Sequence, residues 1–197
     1  MRKIIFAFLI IGLVALTGCQ RSEAPKPGDM FGPSSTSYVL DLSAHPSVVQ
    51  AIDPFRNPAN SEVILKARLY KYNKGPLSRR TIYFSIYDVQ TPFTPPSEGW
   101  SCDYMGGYGY LNGDQVKSVR ATTDSNGVAT VRYTPPSVSD LRVVCDTGEV
   151  DDQGNPVYAY YRLDYIEVMI KATWRGQEWP EDSLSETYGM AVIKVLR

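Results

Sequence analysis

The chain's stock of nucleophiles and soft metal ligands is small: His45 is the one histidine, and Cys19, Cys102 and Cys145 are the three cysteines. His45 precedes a proline at the edge of an extended run, and no Gly-x-Ser-x-Gly is present. A Ser/His or Cys/His nucleophile therefore has little support. The absence of Cys-x-x-Cys argues equally against a structural zinc site. Carboxylates gather at Asp146, Glu149, Asp151 and Asp152, with Gly154 and Asn155 beside them. Such a group can hold Ca²⁺ or act as an acid/base pair in hydrolysis, but Asp, Gly and Asn at this spacing favour a solvated turn. The run Gly106-Gly107-Tyr108-Gly109-Tyr110 opens no helix, so a phosphate cradle is disfavoured. No catalytic residue, metal or cofactor is expected, and the chain reads as a non-enzyme.

Aromatic side chains offer more. Trp100, Tyr104, Tyr108 and Tyr110 fall in one irregular stretch, and Tyr158, Tyr160, Tyr161 and Tyr165 fall in or beside a second. Rings with a polar tip suit protein contacts and sugar stacking. They also suit a satellite core packed under long loops. Trp100, Tyr104, Tyr108, Tyr110, Tyr158 and Tyr160 are the candidate binding residues, expected as one patch with at least two rings exposed.

The elements that must position these residues follow period-2 alternation. Tyr38, Leu40 and Leu42 make a first strand, which Ser47 to Asp53 is expected to continue after His45-Pro46. Val63, Leu65, Ala67 and Leu69 oppose Glu62, Lys66 and Arg68 in a central strand. Ile82, Phe84 and Ile86 alternate with Thr81, Tyr83 and Ser85 in a third. Asp124-Ser125-Asn126-Gly127 joins Val116–Thr122 to Val128–Thr134 in what reads as a hairpin, stopped by Pro135-Pro136. Leu141–Asp146 and Val157–Leu163 form an excursion hairpin, and Ile166–Trp174 and Tyr188–Leu196 close the chain. No segment carries an apolar stripe at helical spacing. The expected fold is all-β: a single antiparallel β-sandwich of about seven strands, with long insertions at about 91–115 and 137–164.

The N-terminus is of another kind. Met1-Arg2-Lys3 precedes an apolar run from Ile4 to Leu16, too short to span a bilayer, and Leu16-Thr17-Gly18-Cys19 follows. This resembles a bacterial lipoprotein signal over residues 1–18. The resemblance implies cleavage before Cys19, lipidation of its thiol and a membrane anchor in the cell envelope. Gln20, where an Asp would resemble the inner-membrane retention signal, points to the outer membrane. Residues 19–37, rich in Pro, Gly and Ser, read as a flexible tether to a domain over 38–197. Loss of residues 1–18 removes Arg2 and Lys3 and takes the net charge from −1 to −3. That balance argues against a nucleic-acid partner. With Cys19 acylated, Cys102 and Cys145 remain as one disulfide pair in an oxidising compartment, or as two reduced buried thiols.

Val63–Leu69, Asn73-Lys74-Gly75-Pro76-Leu77, Thr81–Ile86 and above all Thr123–Thr134 resemble a bacterial immunoglobulin-like domain of the invasin/intimin type. The likeness covers residues 38–91, 116–136 and 166–197. It implies an immunoglobulin-like sandwich used for adhesion or as a spacer. If its strands run alternately up and down, the two insertions share one end, which brings Cys102 towards Cys145. The resulting expectation is a lipoprotein module that binds or adheres to a protein or glycan. The alternative is a structural or accessory subunit of an envelope or extracellular assembly such as a secretion system or filament.

Overall fold

The computed structural model describes residues 38–55, 61–72, 74–113, 116–176 and 186–197. The expected signal peptide over 1–18, the expected tether over 19–37 and the expected lipidation at Cys19 lie outside these residues. In chain order the strands are β1 (Tyr38–His45), β2 (Val48–Gln50), β3 (Val63–Lys71), β4 (Gly75–Pro76), β5 (Thr81–Gln90), β6 (Ser101–Tyr104) and β7 (Tyr110–Leu111). They continue with β8 (Ser118–Thr122), β9 (Val128–Thr134), β10 (Arg142–Val150), β11 (Pro156–Arg162), β12 (Tyr165–Arg175) and β13 (Glu186–Leu196). A 3-10 turn at Val138–Asp140 precedes β10.

Alternation decides the layers. Val63, Leu65, Ala67 and Leu69 of β3 and Ala129, Val131 and Tyr133 of β9 are buried, and they line one sheet ordered β1-β3-β9-β7. Ile82 and Phe84 of β5, Ile166, Val168, Ile170 and Ala172 of β12, and Ile193 and Val195 of β13 line the facing sheet, ordered β2-β13-β12-β5-β8. Each Val, Leu, Ile or Phe among them stabilises by about 1.5–3 kcal/mol when fully buried. Two facing sheets in these strand orders, with the first strand divided between them, make an immunoglobulin-like β-sandwich.

Two local expectations are corrected. Ser47–Asp53 does not extend β1. Pro46 has no N–H for the ladder, and beyond it the chain crosses to the other sheet, where β2 lies parallel to β13. The Asp124–Gly127 turn likewise joins no hairpin, since β8 pairs with β5 and β9 with β3. The turn is a corner between sheets. β9 has three buried residues and needs cover on its inner face, whereas Val119 and Ala121 of β8 are only half-buried, as suits an edge.

Buried Thr123 ties this corner to the loop before β5. Its hydroxyl donates to the Leu77 carbonyl (2.7 Å) and accepts from Arg80 N–H (2.9 Å). Its carbonyl accepts from Arg79 N–H, and its own N–H donates to the Arg80 carbonyl. Thr123→Val keeps the shape but leaves the Arg80 N–H and Leu77 carbonyl unpartnered. The expected cost is about 2 kcal/mol, a fall of roughly 4–8 °C in melting temperature, with Thr123→Ser near wild type. Differential scanning calorimetry of the three proteins checks it.

Both insertions contribute to a third sheet, ordered β11-β10-β6. Cys102 of β6 lies directly opposite Cys145 of β10, and a disulfide joins them with Cα atoms 4.0 Å apart. β6 and β7 had no visible counterpart in the sequence pattern, because alternation cannot be recognised over four and two residues set among glycines.

Candidate functional site

Directly paired residues share a face, and this rule sorts the candidate rings. One face of the third sheet carries Cys102, Tyr104, Val143, Cys145, Ala159 and Tyr161, and it packs against the sandwich core. Trp100 and Phe93 fold onto Tyr161, with ring centroids 6.4 and 5.2 Å away. Tyr104 meets Tyr108 edge to face at 6.0 Å, and its hydroxyl donates to the Gly107 carbonyl. Burial, with Asp140 and Tyr108 adding, pushes the Tyr104 phenol well above its ordinary pKa. Tyr110 lies opposite Thr134 in the first sheet and is half-buried. Tyr158 and Tyr160 point the other way and are 50% and 67% exposed.

The six rings are therefore not one patch. Trp100, Tyr104 and Tyr108 belong to a satellite core, and Tyr158 and Tyr160 stand on the opposite face of the third sheet. Strand parity separates them. Beside Tyr160, Arg142 and Arg162 sit directly opposite one another and line a hollow of about 480 Å³.

Asp146 and Asp151 serve their own turns. Asp146 accepts from Gly148 N–H, and Asp151 accepts from the backbone N–H groups of Asn155 and Gln153 and from the Asn155 amide. The bonds from Asn155, backbone first, hold the Asp151 carboxyl below its ordinary range. No group of three or more His, Cys, Asp or Glu among the described residues is placed to hold a metal ion. His45 is exposed at the end of β1.

A surface that sequence reading missed lies on the outer face of the second sheet. In one row across β13, β12, β5 and β8 stand Tyr188, Thr173, Tyr83 and Arg120, and in the next Met190, Lys171, Ser85 and Ser118. Val192 follows on β13. A register shift in β5 leaves Tyr87 outside the ladder. Tyr83, Tyr87 and Tyr188 are 50%, 61% and 54% exposed, and Met190 and Val192 are exposed as well. The Lys171 ammonium lies 4.9 Å from the Tyr188 ring centroid and 5.8 Å from that of Tyr87. One signal could have found this face. The last strand is apolar on both sides, Tyr188, Met190 and Val192 alternating with Ala191, Ile193 and Val195.

No family model matches the chain, and no curated protein matches it. Among solved structures it is similar to AggA, the major subunit of aggregative adherence fimbriae type I from Escherichia coli. The identity is 6% over 84% of this chain and 98% of that one, with a TM-score of 0.35. It is also similar to AvmM, which catalyses macrocyclization in alchivemycin A biosynthesis, at 9% identity over 81% and 89% with a TM-score of 0.25. At these TM-scores neither likeness bears on function.

Proposed function

We propose that this chain is a non-enzymatic bacterial cell-envelope lipoprotein whose immunoglobulin-like module binds a protein or glycan through the outer face of its second sheet. The observation that carries the reading is the cluster Tyr83, Tyr87, Tyr188, Met190 and Val192, large side chains exposed on β5 and β13, the two strands that flank β12, with Lys171 of β12 reaching the rings of both Tyr87 and Tyr188. Large exposed side chains gathered on one sheet face mark interaction surfaces, and tyrosines are favoured anchors there. Leu16-Thr17-Gly18-Cys19 supports a lipid anchor on Cys19, Gln20 supports the outer membrane, and Thr123–Thr134 supports the invasin/intimin likeness.

A photo-crosslinker at position 192, exposed beside Tyr188 on the same strand, in the full chain in native membranes is expected to capture a defined partner. Tyr87→Ala/Tyr188→Ala should weaken capture by roughly 2 kcal/mol with an unchanged melting temperature, since both rings are exposed. Capture unaffected by these substitutions overturns the contact face. A stoichiometric set of assembly subunits as the captured species would favour the structural-subunit alternative. Mass spectrometry should find Cys19 acylated, and Cys19→Ala should leave the precursor unprocessed; a wild-type Cys19 without acyl chains overturns the anchor.

A further inference from the structure

We propose that an open cleft at the Arg79 end of the second sheet binds an acidic glycan, a polysaccharide carrying carboxylate or sulfate groups. The inference goes beyond the contact cluster proposed above and shares Tyr83 with it, and Thr173, Ser85, Ser118 and Arg120 of the same sheet face line the cleft as well.

The cleft has a volume of about 970 Å³, and Arg79, Arg80, Arg120 and Arg175 line it together with Tyr83 and Thr173. Among the described residues that line it, none is Asp or Glu. Four arginines thus line one cleft in a chain whose net charge is −1. Like charges held together oppose folding, and around a cleft they concentrate anions. The planar guanidinium fork matches carboxylate and sulfate oxygens two at a time, which a lysine ammonium does not.

Backbone geometry adds an independent observation. Arg79 has φ 57°, a left-handed conformation that a non-glycine residue rarely adopts. Thr123 maintains it through the bond from Arg79 N–H to its carbonyl and the bond from Arg80 N–H to its hydroxyl. A glycine would fit this backbone without strain, yet the position holds a long cation aimed at the cleft region. Strain retained against the local preference is a mark of a functional site.

Sugar, rather than nucleic acid or a lipid surface, follows from what accompanies the charge. Tyr83 and Arg120 are directly paired on β5 and β8, so a half-exposed ring and an arginine stand side by side at a ladder spacing of about 5 Å, with the buried Thr173 opposite Tyr83 on β12. Thr81, Ser85 and Ser118 add hydroxyls. A ring suits the apolar face of a sugar, hydroxyls suit its hydroxyls, and guanidinium groups suit its acidic substituents. A nucleic-acid or anionic-membrane footprint would need a long basic stripe instead.

The test is titration of the full chain with heparin, polygalacturonate, neutral dextran, phosphatidylglycerol vesicles and single-stranded DNA. Binding is expected to heparin or polygalacturonate, not to dextran, and it should weaken as salt screens the charges. Arg79→Gly and Arg120→Ala should each reduce it about tenfold. Arg79→Gly should keep or raise the melting temperature, because glycine adopts φ 57° freely, so lost binding is not lost folding. Arg142→Ala/Arg162→Ala, at the other cationic hollow, and Tyr87→Ala/Tyr188→Ala should leave it unchanged. Loss in either of those double variants with Arg79→Gly unaffected overturns the cleft, whereas partner capture through Tyr87 and Tyr188 is decided separately. Binding to dextran as strong as to heparin, or to vesicles or DNA but neither acidic glycan, overturns the ligand class.

Discussion

Cys102→Ala/Cys145→Ala is expected to lower the stability of the folded chain by about 4 kcal/mol. The two cysteines are 43 residues apart, and their bridge closes a loop that spans β7, β8, β9 and part of each insertion. Without the bridge the unfolded chain regains the freedom of that loop, which on the chain-entropy model is worth about 4 kcal/mol. Cys145 is fully buried, and alanine rather than serine avoids adding an unpartnered hydroxyl there. The native state also loses its one covalent hold on β6, a four-residue edge strand paired only to β10. For a chain of this size the melting temperature should fall by roughly 8–16 °C. Denaturant unfolding should also show a steeper slope, because the unbridged chain exposes more surface when it unfolds. Wild-type protein unfolded in a thiol reductant should reproduce both changes. A loss below about 1 kcal/mol would mean that the bridge does not constrain the unfolded chain as this loop length requires.

Gly127→Ala should cost about 3–4 kcal/mol, against about 1 kcal/mol for Gly154→Ala. The two glycines end turns of the same local design. In each, an Asp three residues earlier accepts from the backbone N–H groups two and four residues beyond it: Asp124 from Asn126 and Val128, Asp151 from Gln153 and Asn155. Both glycines have a left-handed backbone, with φ 72° and 82°, so any Cβ carries a penalty of about 1–2 kcal/mol. Their surroundings differ. A Cβ on Gly127 would lie 2.5 Å from the Leu69 carbonyl oxygen and 2.9 Å from the Pro76 Cβ, while on Gly154 it would meet nothing within 4 Å. Leu69 cannot retreat easily, because its N–H donates to the Gly127 carbonyl and its side chain is in the core. Overpacking against backbone adds about 1–3 kcal/mol at Gly127 alone. Equilibrium unfolding of the two variants measures the difference, and equal costs would show that the corner relaxes around the added methyl.

That pair of glycines marks the reach of local encoding in this chain. Side-chain parity along Val63–Leu69, Val128–Thr134 and Ile166–Trp174 is a local property, and it was sufficient for an all-β sandwich and for the inward residues of its central strands. The Asp-x-x-Gly turns were legible for the same reason, since a short polar side chain and a residue free to take φ > 0 act within five residues.

Tertiary structure alone decided the rest. A turn reverses the chain but does not say whether its two strands pair, so Asp124–Gly127 became a corner between sheets once β8 found β5 and β9 found β3. Alternation states that Tyr158 and Tyr161 point to opposite faces. It does not state which face the core will cover, and that choice divided the six candidate rings between a satellite core and the surface. The rows Tyr188-Thr173-Tyr83-Arg120 and Met190-Lys171-Ser85-Ser118 join residues up to about a hundred positions apart, through registers set by pairing between strands. The placing of Arg79, Arg80, Arg120 and Arg175 around one cleft has the same origin, and the left-handed backbone at Arg79 depends on hydrogen bonds from Thr123, 43 to 46 residues from the groups it holds. Contacts along the chain are encoded by nearest neighbours. Contacts across it exist only once the sheets have closed on their shared core.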